Sequence, residues 1–207
     1  MKLKLDLKKI LEILRDVKDY LIPVKTLTKK FASINSIEQL TDYIQSRSAH
    51  VTQTTLYGYI KTRIGTRYAI MVEDEVFSNS INIAKWNIYM TAIADCALYV
   101  FSYLIAEKNL KENDCKEIYL DIIENEKANG LTDEIYQRAK QEFLNRYDKI
   151  NFNKYYLENP FRDSSLALYN WAPIADELKV LDKEIVLNSI KLKWNIVEND
   201  FKELTKN

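Results

Sequence analysis

The chain has 207 residues, with 30 basic and 30 acidic side chains, so its length suits one domain and its net charge selects neither nucleic acid nor an anionic membrane. Only three residues are glycine, about 1.5% of the chain against a usual share of about 7%. Tight hairpins, phosphate-binding loops and dinucleotide-binding crossovers all need glycine. The composition therefore excludes most α/β nucleotide-binding enzymes and predicts an all-α protein.

The apolar spacing predicts one all-α domain over 1–207, a bundle of about six or seven helices around a long central apolar helix. The first helix, residues 1–22, ends at Pro23. Its apolar stripe has spacings of 4, 3, 4, 3 and 4 residues and consists of Leu3, Leu7, Ile10, Leu14, Val17 and Leu21. We expect this stripe to pack against protein. Because the opposite side is rich in lysine, peripheral membrane contact through 1–21 is the alternative.

Two helices are expected between residues 36 and 64. Ser36 and Gln39 form a capping-box pattern that begins the first of them. The β-branched run 51–55 and Gly58 interrupt the helical pattern, so the second helix is expected over 57–64. Gly65 would end it in a left-handed conformation, and residues 66–77 would form a loop or short turn.

The central helix is predicted over 80–106, with Ser78 or Ser80 as its cap. The 19 residues from Ile88 to Ala106 include only three polar residues other than tyrosine. This apolar stretch approaches the length of a membrane span. Asp95 lies near the middle, where an aspartate costs about 2.5–3.5 kcal/mol on membrane insertion. We therefore expect a buried core helix and no transmembrane span.

Further helices are predicted over 114–128 and 133–150, followed by a short helix that ends at Trp171. Pro173 marks the start of the last helix. The inward positions of that last helix are spaced by three and four residues and are Leu187, Ile190, Trp194, Val197, Phe201 and Leu204.

The sequence excludes several kinds of catalytic and cofactor site. The three glycines, at 58, 65 and 130, cannot form a G-x-S-x-G elbow, a P-loop or a dinucleotide fingerprint. His50 is the one histidine, which excludes zinc sites with two or more histidines. We expect no metal and no cofactor. Cys96 and Cys115 form no disulfide framework, so a reducing, cytoplasmic location is expected, with Cys96 as a small buried apolar residue.

The densest group of interaction-type residues, which we call the Tyr57–Tyr68 segment, combines three aromatic and three basic side chains. These are Tyr57, Tyr59, Lys61, Arg63, Arg67 and Tyr68. An acidic triplet, Glu73, Asp74 and Glu75, follows closely. The pattern suits a protein partner or a small anionic ligand, while nucleic acid is not the expected partner. The structural alternative is that Arg63 and Arg67 pair with the acidic triplet.

Two functional hypotheses follow. The first is an intracellular, non-enzymatic interaction or regulatory protein that binds through the Tyr57–Tyr68 segment. The second is a small hydrolase of unusual design, in which Ser46 or Ser48 is the nucleophile and His50 the base, with Arg63 or Arg67 as oxyanion stabiliser.

Five stretches carry a resemblance to a known family. They are Thr55–Tyr68, Glu73–Phe77, Asn82–Trp86, Trp171–Leu178 and Glu184–Val186. Together they resemble a family of small all-helical bacterial proteins, some of whose members are labelled "esterase". The resemblance covers somewhat under half of the chain and implies a helical fold and, from the label, a hydrolase. It also directs attention to the Tyr57–Tyr68 segment, with the turn Trp171–Leu178 as its partner within the chain.

Overall fold

The computed structural model describes residues 31–108 and 110–206, and helices occupy most of them. No strand occurs within these two ranges, so the prediction of an all-α bundle is confirmed. The predicted N-terminal helix, residues 1–22, lies outside the described residues.

Six helices of ten residues or more, and one of five, form the described part of the chain. They are α1 (Ile37–Ile64), α2 (Tyr68–Val72), α3 (Glu75–Lys108), α4 (Glu112–Asn125), α5 (Asp133–Tyr147), α6 (Arg162–Trp171) and α7 (Asp176–Leu204). Helix α3 lies at the centre and contacts α1, α2, α4, α5 and α6, while α7 packs mainly on α1 and α6. The long central apolar helix is thus confirmed.

Helix α3 is apolar all round because other helices surround it. By length and composition it could cross a membrane, but 78% of its most apolar 18-residue window is buried inside the protein. Cys96, in the middle of α3, is fully buried as predicted, and burial raises the pKa of its thiol to about 12.

Helix α1 is continuous over 28 residues, so the predicted break at 51–58 is wrong. The hydroxyl groups of Thr55 and Thr62 donate to the carbonyl groups of Val51 and Gly58, four residues back, at 2.7 and 2.8 Å. These bonds accommodate threonine within a helix. Gly65 ends the helix at a positive φ of 59°, but its ψ of −132° lies outside the left-handed helical region that the sequence suggested.

The starts of two helices differ in detail from the prediction. Ser36 caps α1 through its hydroxyl oxygen, which accepts from the Gln39 N–H at 3.2 Å, whereas the Gln39 side chain accepts from the N–H of Asn35 instead of Ser36. At α3 the cap is Asp74, whose carboxylate accepts from the Phe77 N–H at 2.8 Å. The predicted caps, Ser78 and Ser80, lie inside α3. Asp74 is favoured because a charged acceptor also interacts with the helix dipole.

The later helices match the prediction within a few residues. The 114–128 prediction corresponds to α4 and the 3-10 turn Glu126–Asn129, which ends at Gly130 with φ of 101°. Helix α5 begins after its predicted cap, Thr132, and ends three residues before the predicted end. Helix α7 begins at Asp176, beyond Pro173.

Asp95 is the one acidic group in the apolar centre of α3, and it is fully buried. Its carboxylate accepts a hydrogen bond from Arg146 of α5 at 2.6 Å and another from the backbone N–H of Ser164 at 2.7 Å. Ser164 lies in the first turn of α6, where N–H groups lack helical partners. The Trp194 indole of α7 donates to the Ser164 hydroxyl at 3.0 Å. Burial raises the pKa of Asp95 to about 6, while Arg146 and Ser164 act in the opposite direction.

We predict that Asp95→Ala lowers the free energy of unfolding by about 3–5 kcal/mol, because Arg146 and the Ser164 N–H lose their buried acceptor. Asp163→Ala is the matched control, since this half-exposed carboxylate contacts the same guanidinium at 3.3 Å. It should cost less than about 1 kcal/mol. Urea unfolding measures both variants. Equal losses would contradict the assigned role of Asp95.

Candidate functional site

The Tyr57–Tyr68 segment forms the last two turns of α1, the 3-10 turn Gly65–Arg67 and the start of α2. Its three tyrosines are half-buried and pack against the core. Lys61, Arg63 and Arg67 are exposed. The aromatic half of the segment therefore belongs partly to the scaffold, and the basic half faces solvent.

Arg63 is committed to an ion pair that the sequence did not predict. Its Nε and Nη2 groups both donate to the carboxylate of Asp182 on α7, and the Tyr59 hydroxyl donates to the same carboxylate at 2.9 Å. Asp182 is only 2% exposed. The predicted pairing of Arg63 with the acidic triplet is wrong, because Asp182 offers a buried, bidentate acceptor. The contact lies on α7, one turn beyond the predicted Trp171–Leu178 turn.

Tyr59 and Arg63 lie one helical turn apart on α1, as predicted, and meet at Asp182. Burial raises the pKa of Tyr59, while the Arg63 guanidinium acts to lower it. This group of three joins the C-terminal end of α1 to the N-terminal half of α7. These contacts stabilise the packing of α1 against α7.

The acidic triplet is explained by the start of α3. Asp74 is its cap, and Glu75 is its first residue, where negative charge is favourable. Glu73 and Glu75 are exposed, and within the described ranges neither forms an ion pair with Arg67. The predicted pairing of Arg67 with the triplet is therefore also wrong. No group of three or more potential metal ligands occurs in the described part of the chain.

A mixed surface remains around α2, which we call the corner surface. It consists of the exposed side chains Lys61, Arg67, Ile70, Glu73 and Val76. Ile70 and Val76 are 71% and 77% exposed. The corner surface thus combines two cations and one carboxylate with two exposed apolar groups.

The serine and histidine residues of the hydrolase hypothesis differ in solvent exposure. Ser46 and Ser48 are fully buried, and their hydroxyl groups donate to the backbone carbonyls of Tyr43 and Ala92, each at 3.2 Å. His50 is exposed on α1, and burial, with Lys193 and Arg47, lowers its pKa. A substrate in solvent could reach His50 but neither hydroxyl. This geometry gives the hydrolase hypothesis no support.

A cavity of about 360 Å³ between α3 and α5 is a feature that sequence reasoning missed. Its floor is largely apolar and includes Met90 and Phe143, while Glu142, Arg146 and Asp163 line its polar side. Arg146 already contacts Asp95 and Asp163, so the one cation of this wall is paired within the protein. The sequence gives no signal that these residues line one cavity, because their spacing follows no common motif.

Lys85 is a second feature that the sequence did not reveal. It is only 3% exposed, with its ammonium group 5.3 Å from the centre of the Trp86 ring. Burial lowers its pKa to about 8, because an ammonium ion loses hydration in the apolar interior. Lysine is normally exposed, so the sequence around Lys85 does not indicate that this residue is buried.

Comparison with known proteins finds no family model, no curated protein and no solved structure that matches this chain.

We predict that Arg63→Ala lowers the free energy of unfolding by about 2 kcal/mol, because it leaves the buried Asp182 carboxylate without its cation. Arg67→Ala, the matched control, should change stability by no more than about 0.5 kcal/mol. The double variant Arg63→Ala/Asp182→Asn should lose less than the sum of its two single changes. If the stability loss of the double variant equals the sum of the two single losses, the Arg63–Asp182 ion pair does not stabilise the packing of α1 against α7.

Lys85 should impose a pH dependence on stability. Between pH 8 and 10.5 the folded protein releases the Lys85 proton while the unfolded chain retains it, so the Lys85 contribution to stability should rise with pH across this window. The buried thiols of Cys96 and Cys115, whose pKa is raised to about 12, act in the opposite direction in wild type and variant alike. Lys85→Met should remove that rise and stabilise the protein at pH 7 by on the order of 3 kcal/mol. Lys61→Met, at an exposed site, is the control. An unchanged pH slope in Lys85→Met would refute the assigned burial effect.

Proposed function

We propose that this protein is a helical interaction protein that binds a protein partner through the corner surface. The observation that carries the proposal is the exposure of Ile70 and Val76 beside two cations, Lys61 and Arg67, that have no ion-pair partner among the described residues. Exposed apolar groups rimmed by charged residues are typical of protein–protein contact sites.

The charge arrangement favours a protein over a small anionic ligand. Arg63, the residue best placed to bind an anion beside Arg67, is already neutralised by Asp182. Glu73 and Glu75 are exposed close to Arg67 in sequence, and their charge opposes the approach of a phosphate or carboxylate. A protein partner can place an acidic side chain on Arg67 and an apolar one on Ile70 at the same time.

The partner that fits best is an amphipathic helix with a carboxylate beside its apolar stripe. Ile70 and Val76 would contact the apolar stripe, and Lys61 and Arg67 would face the carboxylate. The ion pair between Arg63 and Asp182 supports this use of the surface because it fixes the end of α1 against α7. A surface that is already rigid loses less conformational entropy on binding.

Photo-crosslinking tests the proposal. A photoreactive residue at Ile70 should capture a partner in cells, whereas one at Val180, an equally exposed site on α7, should not. With the captured partner purified, Ile70→Asp and Arg67→Glu should each weaken binding at least tenfold, and Val180→Asp should leave it unchanged. Equal affinities would refute the corner surface as the site. A thermal shift with inorganic phosphate that Arg67→Ala abolishes would favour the anionic ligand instead.

A further inference from the structure

Helix α7 carries an apolar stripe on the side away from the core. Its residues expose between 38% and 75% of their surface. They are Leu178, Leu181, Ile185, Leu192 and Ile196. The spacings of 3, 4, 7 and 4 residues place them along one side of the helix. We call this row the α7 stripe.

The α7 stripe is distinct from the buried side of the same helix. The buried positions, which include Ile190, Trp194 and Phe201, face α1 and α6. The stripe extends over 18 residue-to-residue steps, from Leu178 to Ile196, which corresponds to about 27 Å along a helix. An exposed apolar row of this length is typical of a contact site.

We propose that the α7 stripe is the docking site of the chain's own residues 3–21. The sequence predicts an amphipathic helix there, and its apolar stripe from Leu3 to Leu21 also extends over 18 residue-to-residue steps, about 27 Å. Two apolar rows of equal length and similar three-and-four spacing can pack along their whole length.

The point where the described chain begins supports this occupant. The Ile34 N–H donates to the carbonyl of Leu204, near the end of α7, at 3.2 Å. The Phe31 ring lies 5.4 Å from that of Tyr43, whose hydroxyl donates to the Val197 carbonyl at 2.8 Å. Residues 31–34 are therefore held beside the last turns of α7, and Leu204 lies about two turns beyond Ile196, the last residue of the stripe.

Chain length favours one direction, because the opposite one would require the ten residues from Leu21 to Phe31 to be almost fully extended. With Leu21 level with Ile196, the ten residues to Phe31 need only pass the last two turns of α7, which ten residues can span easily. Leu3 then comes level with Leu178, so the two helices run parallel.

Two pairs of opposite charges fit this register. Lys4 and Lys8 come within one helical turn of Glu177 and Glu184, which are exposed and form no ion pair within the described ranges. Opposite charges beside an apolar contact favour one alignment over others.

Disulfide formation in the full-length protein tests the register, in which Ile10 comes level with Ile185. Cys96 and Cys115 are fully buried and burial raises both thiol pKa values to about 12, so introduced cysteines will react without interference. Under mild oxidation Ile10→Cys/Ile185→Cys should form an intramolecular disulfide at least tenfold faster than Ile10→Cys/Val180→Cys. Val180 is the matched control because it is exposed on α7 but lies off the stripe.

Hydrogen exchange provides the second measurement. Amides of residues 3–21 should exchange slowly in the wild type and at least tenfold faster in Ile185→Lys/Leu192→Lys, both of which change exposed positions only. Val180→Lys should have no effect. Unchanged exchange in the double variant would overturn the proposal. So would disulfides formed only between two chains, or protection that appears only when anionic vesicles are added, since these outcomes identify a second copy or a membrane as the occupant. These readouts do not involve the corner surface, so they fail or succeed independently of the proposed function.

Discussion

A carboxylate in the middle of the most apolar helix needs partners, and the arrangement of the bundle around Asp95 supplies them. Leaving that group unpaired in the interior would cost several kcal/mol. Arg146 reaches it from α5, and the backbone N–H of Ser164 reaches it from the first turn of α6. Trp194 extends the network to α7 through the Ser164 hydroxyl. One buried carboxylate thus links α3 to α5 and α6 directly and to α7 through Ser164. Such directional hydrogen bonds specify the positions of these helices more strictly than apolar packing alone.

The same principle operates at the other buried acid. Asp182 accepts two donors from Arg63 and one from Tyr59, so the ends of α1 and α7 are held together by a desolvated polar group and not by apolar contact alone. This explains why the segment with the most aromatic and basic residues is only partly free for binding. Its most obvious cation is used to satisfy a buried carboxylate, and the neighbouring exposed residues are left to form the corner surface.

The two exposed apolar regions differ in what they imply. The corner surface is mixed in charge and follows the end of α1 that Arg63 and Asp182 hold against α7, which suits contact with another protein. The α7 stripe is long and regular, and the described chain begins beside the last turns of the same helix, which suits a segment of the same chain. Ser46 and Ser48, the two nucleophiles of the hydrolase hypothesis, are buried with their hydroxyl groups bonded to backbone carbonyls.

The sequence by itself determined the helical class, the central helix and most helix positions, because glycine scarcity and three-and-four apolar spacing are local properties. It also predicted the burial of Cys96. It misplaced the break in α1 because burial of Val51, Leu56 and Ile60 in the core outweighs a weak local helix propensity. The partners of Arg63 and Asp95 were decided only by the tertiary structure. Asp182 lies 119 residues from Arg63, and Arg146 lies 51 residues from Asp95, and no local pattern encodes which of many acids and bases meet at such separations. The pairing is set by which groups the packed helices bury together, since burial makes an unpaired charge costly.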